Sequence, residues 1–373
     1  MADITLILLA AGSSSRFDAD VKKQWLRIGH EPLWQFVARK CVETKLFSKV
    51  IITSSEDDIA FMKLYDTFCF VEGSTTRQRS LKNALNEVKS DYVLVSDIAR
   101  PCIDENFLKS IISSASSADC IVPYLSVNDT IVYEDKTIDR DKVKRIQTPQ
   151  LSKTSILKSA LDTEIEYTDE SSAIVANGGS REFILGMIDA EKITYAKDLK
   201  KLPCLASPSM DTLSGTGFDV HAFEDNKEMF LAGVKIDSKF GFKAHSDGDV
   251  AIHALIDALL GASGMGDIGD MFPDNNDEYK DIDSKVLLAK VCTKIKEFGF
   301  VIVNVDISIA AQTPRIGSYK LAMRESIAAI LGCESSRVNI KATTTEKLGF
   351  IGRSEGVGVI ANANLKYFDW MKI

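Results

Sequence analysis

Three of the chain's four histidines, His221, His245 and His253, fall within one short window. Asp219 and His221 are two residues apart in a run that reads as a strand, and that spacing turns both side chains to the same face. His253 follows Asp249 by four residues, one helical turn, so a helix packed on that strand would bring in a third ligand. Two imidazoles and a carboxylate leave a fourth coordination position open, the plan of a catalytic zinc centre. The same ligand types suit a non-haem Fe(II) oxygenase, and the residues by themselves leave both metals standing. A single buried histidine is more often a satisfied core residue; the clustering is what argues for metal. Asp249 reads as negative charge at a helix N-terminus, complementing the dipole, rather than as a fourth ligand.

A second constellation lies near the start of the chain. Leu9-Ala-Ala-Gly-Ser-Ser-Ser-Arg16 follows an apolar run, and the backbone N–H groups of such a small-residue turn can wrap a polyphosphate while Arg16 adds charge. Alone, the same segment reads equally well as a tight turn. Lys22-Lys23-Gln24 then return amines to the loop. Ser96-Asp97-Ile-Ala-Arg-Pro101 ends another apolar run with a carboxylate, where Asp97 would hold Mg²⁺ against the same phosphates.

These side chains need two scaffolds. From Ile4 to about residue 202, β-branched runs (Ile4–Leu9, 50–53, 92–96, 120–123) alternate with helical patterns over 33–44, 79–88 and 105–115, which predicts a doubly wound, mostly parallel α/β sheet. Ligands on such sheets gather beyond the carboxyl ends of the strands, after Leu9 and Ser96 here. Residues 131–143 alternate apolar and charged side chains around Asp135-Lys136, predicting a β-hairpin arm. The stretch 203–211 carries two of the chain's eight prolines without periodicity and is the expected linker between domains 1–202 and 212–373. The second domain reads as an α+β sandwich, with strands over 217–221, 229–234, 301–309, 338–344 and 358–365 and helices over 249–262, 284–298 and 319–331.

Bulk properties narrow the function classes. At 373 residues, two domains are the default expectation. A formal net charge of −8 argues against general affinity for nucleic acid or anionic membrane, so phosphate binding must be local. Seven scattered cysteines without C-x-x-C spacing read as reduced packing thiols in a cytoplasmic protein. The apolar opening is too short to span a bilayer.

Taken in order, Ala-Ala-Gly-x-x-x-Arg, Lys-Gln, Arg77-x-x-Ser80, Asp-x-Ala-Arg-Pro, Thr148-Pro-Gln150 and Thr168-Asp-Glu170 resemble 2-C-methyl-D-erythritol 4-phosphate cytidylyltransferases over about residues 2–200. The resemblance implies CMP transfer from CTP to methylerythritol phosphate with release of pyrophosphate. By it, Ala10, Ala11, Gly12 and Ser80 hold CTP, Arg16 and Lys23 neutralise the triphosphate, and Asp97 carries Mg²⁺. Arg140 in the arm, with Thr148 and Thr168, matches positions that bind methylerythritol phosphate, and Lys192 matches a lysine near the nucleotide phosphates. In that family the arm reaches into a second subunit. The chain departs from the pattern at Ser14, where glycine is usual, and at Ala190, where asparagine is usual.

Gly217-Phe-Asp-Val-His-Ala-Phe223, Ala244-His-Ser-Asp-Gly-Asp-Val250, Gly266-Asp-Ile-Gly269 with Phe272-Pro-Asp274, and Lys341-Ala-Thr-Thr-Thr-Glu-Lys-Leu-Gly349 resemble 2-C-methyl-D-erythritol 2,4-cyclodiphosphate synthases over about residues 213–370. This implies cyclisation of CDP-methylerythritol 2-phosphate with CMP leaving. By resemblance, Asp219, His221 and His253 bind Zn²⁺ and Glu346 binds Mg²⁺. His245 and Ser246 lie by the substrate phosphates, and Asp267, Gly269, Phe272 and Asp274 lie along the methylerythritol pocket. Ala311, Pro314, Ile316, Thr343 and Thr344 form the cytidine pocket, with Phe350 also contacting substrate. That family is trimeric with sites between subunits. Arg353 faces the trimer axis there and can meet a polyprenyl diphosphate; an Arg353–Glu355 pair is the simpler account.

The two reactions are not consecutive, because a kinase must act between them. An assembly with that kinase is an expectation from the fusion alone, and a trimer combined with paired arms would give a hexamer. Two rivals stand beside this reading: a first domain acting on another polyol phosphate such as ribitol 5-phosphate, and a second domain serving only as a metal-stabilised trimerisation module.

Overall fold

The structure is a computed structural model that describes residues 3–12, 14, 16–17, 19–244, 247–273 and 282–373. His245, Ser246 and Asp274, three of the expected site residues, lie outside them. The chain forms two compact units, one of residues 1–208 with 369–373, the other of residues 209–368.

In the first unit the strand Ile4–Leu9 lies between Lys49–Ser54 and Tyr92–Asp97, parallel to both, with Cys69–Glu72 beyond Lys49–Ser54. All six residues of Ile4–Leu9 are buried, as a strand covered on both faces by helices requires. Leu9 pairs with Asp97 across the sheet, so the turn after one strand and the carboxylate ending the next emerge side by side. Gln150–Lys153 runs antiparallel to Tyr92–Asp97, and Cys120–Ser126 follows, flanked by Lys144–Ile146 and Arg181–Leu185. Leu81, Leu85, Leu157 and Ile174 from three covering helices pack on Ile7, Val93 and Val95 to make the core of this unit. The expected arm is a hairpin of Ile131–Tyr133 and Lys136–Ile138, turning through Glu134 and Asp135 at positive φ.

Two expectations need correction. Cys102 and Cys204 are not free thiols: they form a disulfide with Cα atoms 5.4 Å apart, whereas Cys41, Cys69, Cys120, Cys292 and Cys333 are free. The pair is 102 residues apart in sequence, so only tertiary folding brings it within bridging distance. Residues 229–234 are not one strand but a tight hairpin of Met229–Leu231 and Val234–Ile236, because Ala232 and Gly233 both adopt positive φ.

In the second unit the five-stranded sheet runs Phe240–Phe242, Thr212–Asp225, Gly356–Tyr367, Phe300–Ala310, Val338–Thr343. The helix Val250–Ser263 lies on it and is buried almost throughout. Gly215 and Gly217 set how close it comes: a Cβ on either would fall 2.2 Å from the carbonyl oxygen of Ala258 or 2.0 Å from that of Ala254. Only glycine allows that approach, and it brings the helix face carrying His253 against the strand carrying Asp219 and His221.

Asp249 anchors the start of this helix. Its carboxylate is fully buried and accepts from the backbone N–H groups of Ala251 and Ile252 as an N-cap, and from those of Ala232 and Gly233 in the neighbouring turn. Asp249→Ala is expected to cost about 3 kcal/mol, since it leaves several buried donors without an acceptor. Urea unfolding of the full-length chain checks this, with Asp249→Asn expected to recover part of the loss.

Candidate active sites

The first site opens around the turn after Leu9. Ser14 sits at φ 56°, a left-handed conformation that costs a non-glycine residue about 1 kcal/mol. Its hydroxyl accepts from the backbone N–H of Lys23 at 3.0 Å, so the serine that replaces glycine holds the lysine segment against the turn. A cavity of about 540 Å³ lies here, lined by Ala10, Ala11, Gly12, Arg16, Lys23, Ser80, Asp97 and Lys192, and also by Ser74, Thr75, Thr76 and Arg77. Ser80 begins to explain its place in the motif: its hydroxyl accepts from the N–H of Ser74 at 2.9 Å and donates to the Thr76 carbonyl at 2.8 Å, shaping the cavity rim.

Asp97 is the hub. Lys192 Nζ lies 2.8 Å from Oδ2, Arg77 Nε 3.5 Å from Oδ1, and the Thr148 hydroxyl donates to Oδ2 at 3.3 Å. Burial, the largest influence, disfavours its charge, but Arg77 and Lys192 outweigh it and bring the carboxyl down to about 2. Arg77 also meets the buried Glu170 at 2.6 Å, and Arg100 donates to the Thr148 hydroxyl at 2.8 Å. Arg16, Lys23, Arg77, Arg100 and Lys192 thus outnumber Asp97 and Glu170, leaving positive charge around a cavity of nucleotide size. Burial first, then Lys192 and Arg16, lower the pKa of Lys23.

Thr148 is buried behind Asp97 rather than lining the cavity, Thr168 is exposed, and Arg140 sits in the exposed arm, donating to the Asn128 carbonyl at 2.6 Å. Lys22 is drawn away to Asp58 at 3.0 Å. The Arg77–Glu170 pair carried no role in the sequence reading. Arg77 opens the Arg-x-x-Ser motif, but its partner lies 93 residues on.

In the second unit Asp219, His221 and His253 form a cluster whose ligand atoms all lie within 4.8 Å of one another. Asp219 Oδ2 is 3.2 Å from His221 Nε2 and 3.4 Å from His253 Nδ1. His221 Nδ1 lies 2.9 Å from the Gly248 carbonyl, which fixes that nitrogen as the N–H and leaves the Nε2 lone pair facing the cluster. His253 Nε2 meets the Ser284 hydroxyl at 3.0 Å, and that hydroxyl also bonds Asp247. Burial opposes the Asp219 charge, but the two histidines hold its carboxyl well below the usual range. Burial lowers and Asp219 raises the pKa of His221, with a net rise.

Asp257, one turn after His253, went unnoticed in the sequence. Its Oδ1 accepts from the Ile268 N–H at 2.8 Å, which draws the Asp267–Gly269 turn toward the cluster; burial and then the nearby Asp267 and Asp219 raise its pKa. Asp267 caps the short helix Ile268–Met271, and Phe272 is buried beyond it. Ala311 and Ile316 are buried around the turn that contains Pro314. Thr344 donates to Glu346 at 3.0 Å, and Phe350 is partly exposed. Arg353 forms a two-pronged pair with Glu355 at 2.8 and 3.0 Å.

Sheet register separates these sets. Asp219 pairs with Val359, Val359 with Ile309 and Ile309 with Ala342, so the Thr343–Thr344 end lies three strand spacings from the cluster, about 14 Å. Within the chain, the strand end that leads into Thr344 and Glu346 therefore lies apart from the Asp219–His221–His253 cluster.

Comparison with known proteins gives two family matches: 2-C-methyl-D-erythritol 4-phosphate cytidylyltransferase over residues 4–204 and the YgbB family over residues 213–366. The chain is 71% identical to the bifunctional enzyme IspD/IspF of Sulfurimonas denitrificans, over 99% of this chain and 96% of that one. It is 52% identical to the enzyme of the same name from Aliarcobacter butzleri over the full length of both. The solved bifunctional IspDF of Campylobacter jejuni, 47% identical, superposes with a TM-score of 0.91 over 99% of this chain and 100% of that one. A two-unit chain with a cavity lined by basic side chains in one half and an Asp–His–His cluster in the other, matched end to end by such relatives, belongs to the bifunctional IspD/IspF family.

Proposed function

We infer that the chain catalyses two reactions of isoprenoid-precursor synthesis: CMP transfer from CTP to 2-C-methyl-D-erythritol 4-phosphate, and cyclisation of CDP-methylerythritol 2-phosphate to the 2,4-cyclodiphosphate. The observation that carries this reading is that each matched half has its own chemically suited site.

In the first reaction the substrate's 4-phosphate oxygen bonds to the α-phosphorus of CTP as the α–β bridging bond breaks and pyrophosphate leaves. No nucleophilic side chain is needed; position and positive charge suffice. Arg16, Lys23 and Lys192 neutralise the triphosphate, Ala10 to Gly12 with Ser80 hold the nucleotide, and Arg140, Thr148 and Thr168 receive the methylerythritol phosphate. Asp97 stays ionised at the cavity wall, which fits a Mg²⁺ ligand, and the bound ion would draw charge from the phosphates.

In the second, the 2-phosphate oxygen bonds to the β-phosphorus and CMP departs. The donor set fits Zn²⁺: the fixed His221 tautomer, His253 Nδ1 and an ionised Asp219 converge as three donors, the number that a catalytic zinc centre takes from its protein. Zinc held there would act as Lewis acid on a phosphate oxygen. Glu346 would carry Mg²⁺, with His245 and Ser246 by the phosphates, Asp267, Gly269, Phe272 and Asp274 along the polyol, and Ala311, Pro314, Ile316, Thr343, Thr344 and Phe350 around cytidine. The 14 Å between half-sites, with Phe218 and Ile360 exposed on the open sheet face, supports a trimer whose neighbour supplies the cytidine pocket. Exposed Val132 and Tyr133 support pairing through the arm, and so a hexamer. Arg353 is paired in the chain and would face the axis. Among the described residues no helix is long and apolar enough to cross a membrane; we place the enzyme in the cytoplasm, where the intervening kinase is a candidate partner.

Phosphorus NMR tests the reading on size-exclusion fractions run with and without that kinase. Methylerythritol 4-phosphate, CTP and Mg²⁺ are expected to yield CDP-methylerythritol, and CDP-methylerythritol 2-phosphate with Zn²⁺ and Mg²⁺ to yield the cyclic diphosphate and CMP. Absence of the first product, with turnover of ribitol 5-phosphate, would reassign the first substrate. Absence of the second would leave a trimerisation module.

A further inference from the structure

The two family matches end at residues 204 and 366, so the segment 369–373 lies beyond both. It nevertheless clusters with the first unit, although the sequence places it in the second domain. We propose that this segment, through Trp370, positions the two backbone stretches that carry Lys23 and Lys192 into the cytidylyltransferase site.

Trp370 is 1% exposed, and its indole N–H donates to the Arg27 carbonyl at 2.7 Å. A buried indole has one donor to place, and here it goes to a residue only four beyond Lys23. Between them Trp25 and Leu26 are fully buried, the Leu26 N–H donates to the Lys23 carbonyl at 3.1 Å, and the Leu26 carbonyl accepts from Leu33 at 2.8 Å, so Arg27 and Lys23 are joined by a packed, hydrogen-bonded turn. On its other side the turn Trp370–Lys372 packs against the 3₁₀ helix Ala196–Lys201. That helix is tied to Lys192's stretch, because Asp198 accepts from the N–H groups of Thr194 at 3.1 Å and Tyr195 at 2.9 Å.

The two stretches meet again at the cavity. Lys23 Nζ reaches the Ile193 carbonyl at 3.4 Å, a long bond, while Ile193 N–H donates to Ala99 at 2.8 Å beside the Asp97 loop. Trp370 holds one of these stretches through Arg27, and the turn it opens packs against the helix tied to the other. With that anchor loosened, the Ser14 hydroxyl still holds the Lys23 N–H and Asp97 still holds Lys192, but the two stretches meet each other directly through the long Lys23–Ile193 bond. An error of about 1 Å in such groups costs up to about a hundredfold in rate. Trp370 is thus a positioning residue; it touches no substrate.

The inference rests on Lys23 and Lys192 serving the triphosphate, and the test separates the two ideas. Full-length Trp370→Phe, which keeps the ring and removes the donor, and Trp370→Ala are compared with Lys23→Ala by steady-state kinetics of both activities and by thermal melting. For Trp370→Phe the kcat of CMP transfer is expected to fall about tenfold, and for Trp370→Ala about a hundredfold. The KM for methylerythritol phosphate should stay within about twofold and cyclodiphosphate synthesis should be unchanged, since neither uses the two amines. Transfer kcat within about twofold of the parent in Trp370→Phe, or a loss in either variant that vanishes well below its melting midpoint, overturns the proposal. Parental turnover by Lys23→Ala instead overturns the assignment beneath it.

Discussion

A full-length His253→Ala chain is expected to lose cyclodiphosphate synthesis by about three orders of magnitude while retaining CMP transfer. The loss follows from geometry. His253 Nδ1 and His221 Nε2 both face Asp219 Oδ2, so removing His253 reduces a three-donor set to two and opens one side of the cluster. A Lewis acid on a phosphate oxygen is worth several kcal/mol of transition-state stabilisation, and about 4 kcal/mol corresponds to about a thousandfold in rate. The packing cost is small beside this, because His253 is only partly buried on a helix whose other contacts are untouched. Metal content by mass spectrometry should fall from one zinc per chain with the activity. Parental turnover with parental zinc would remove His253 from the ligand set, and loss of both activities would mean that the helix had been damaged instead. CMP transfer in the same tube provides the control, because its cavity is lined entirely by the first unit.

The sequence was most informative where function depends on local spacing. Asp219 and His221 are a strand repeat apart, and His253 lies one helical turn after Asp249; Gly215 and Gly217, which that spacing does not flag, close the distance between the two elements. The first cavity was legible for the same reason, since its turn and Asp97 end neighbouring parallel strands. What stayed hidden is held by contacts between residues far apart in the chain. Arg77 meets Glu170 across 93 residues, Cys102 meets Cys204 across 102, and Trp370 meets Arg27 across 343. No periodicity signals such pairs, because each is chosen by the packing of whole elements. Cys102 and Cys204 read as packing thiols on composition alone, and Trp370 carried no role in the sequence reading. Register did the opposite for the second site: residues that the motifs group together, Asp219 and Thr343 among them, belong to strands separated by two others.

Lys23→Ala should lower kcat/KM for CMP transfer by about a thousandfold, and the conservative replacement shows why charge is the cause. Lys23 lines the cavity beside Arg16, and its amine is half-buried against the Ile193 carbonyl. Removing one preorganised cationic group from a site that must absorb charge on a leaving pyrophosphate costs about 10²–10³-fold. Loss of its part in holding Lys192's stretch takes the estimate to the upper end. The pH dependence carries an independent signature. Burial, then Lys192 and Arg16, lower the Lys23 pKa, so the charged form is lost at a pH below that of an ordinary lysine. Activity that depends on the charged form is therefore complete below the lowered pKa and falls as pH rises through it. The parent chain should show an alkaline limb in its transfer rate at a pH below 10.5, the ordinary lysine value. Lys23→Arg stays charged throughout and should lose that limb while keeping more activity than Lys23→Ala, the planar guanidinium being an imperfect fit for the space of an ammonium. An alkaline limb that persists unchanged in Lys23→Arg would assign the titration to a group other than Lys23, and would leave Lys23 with a packing role only.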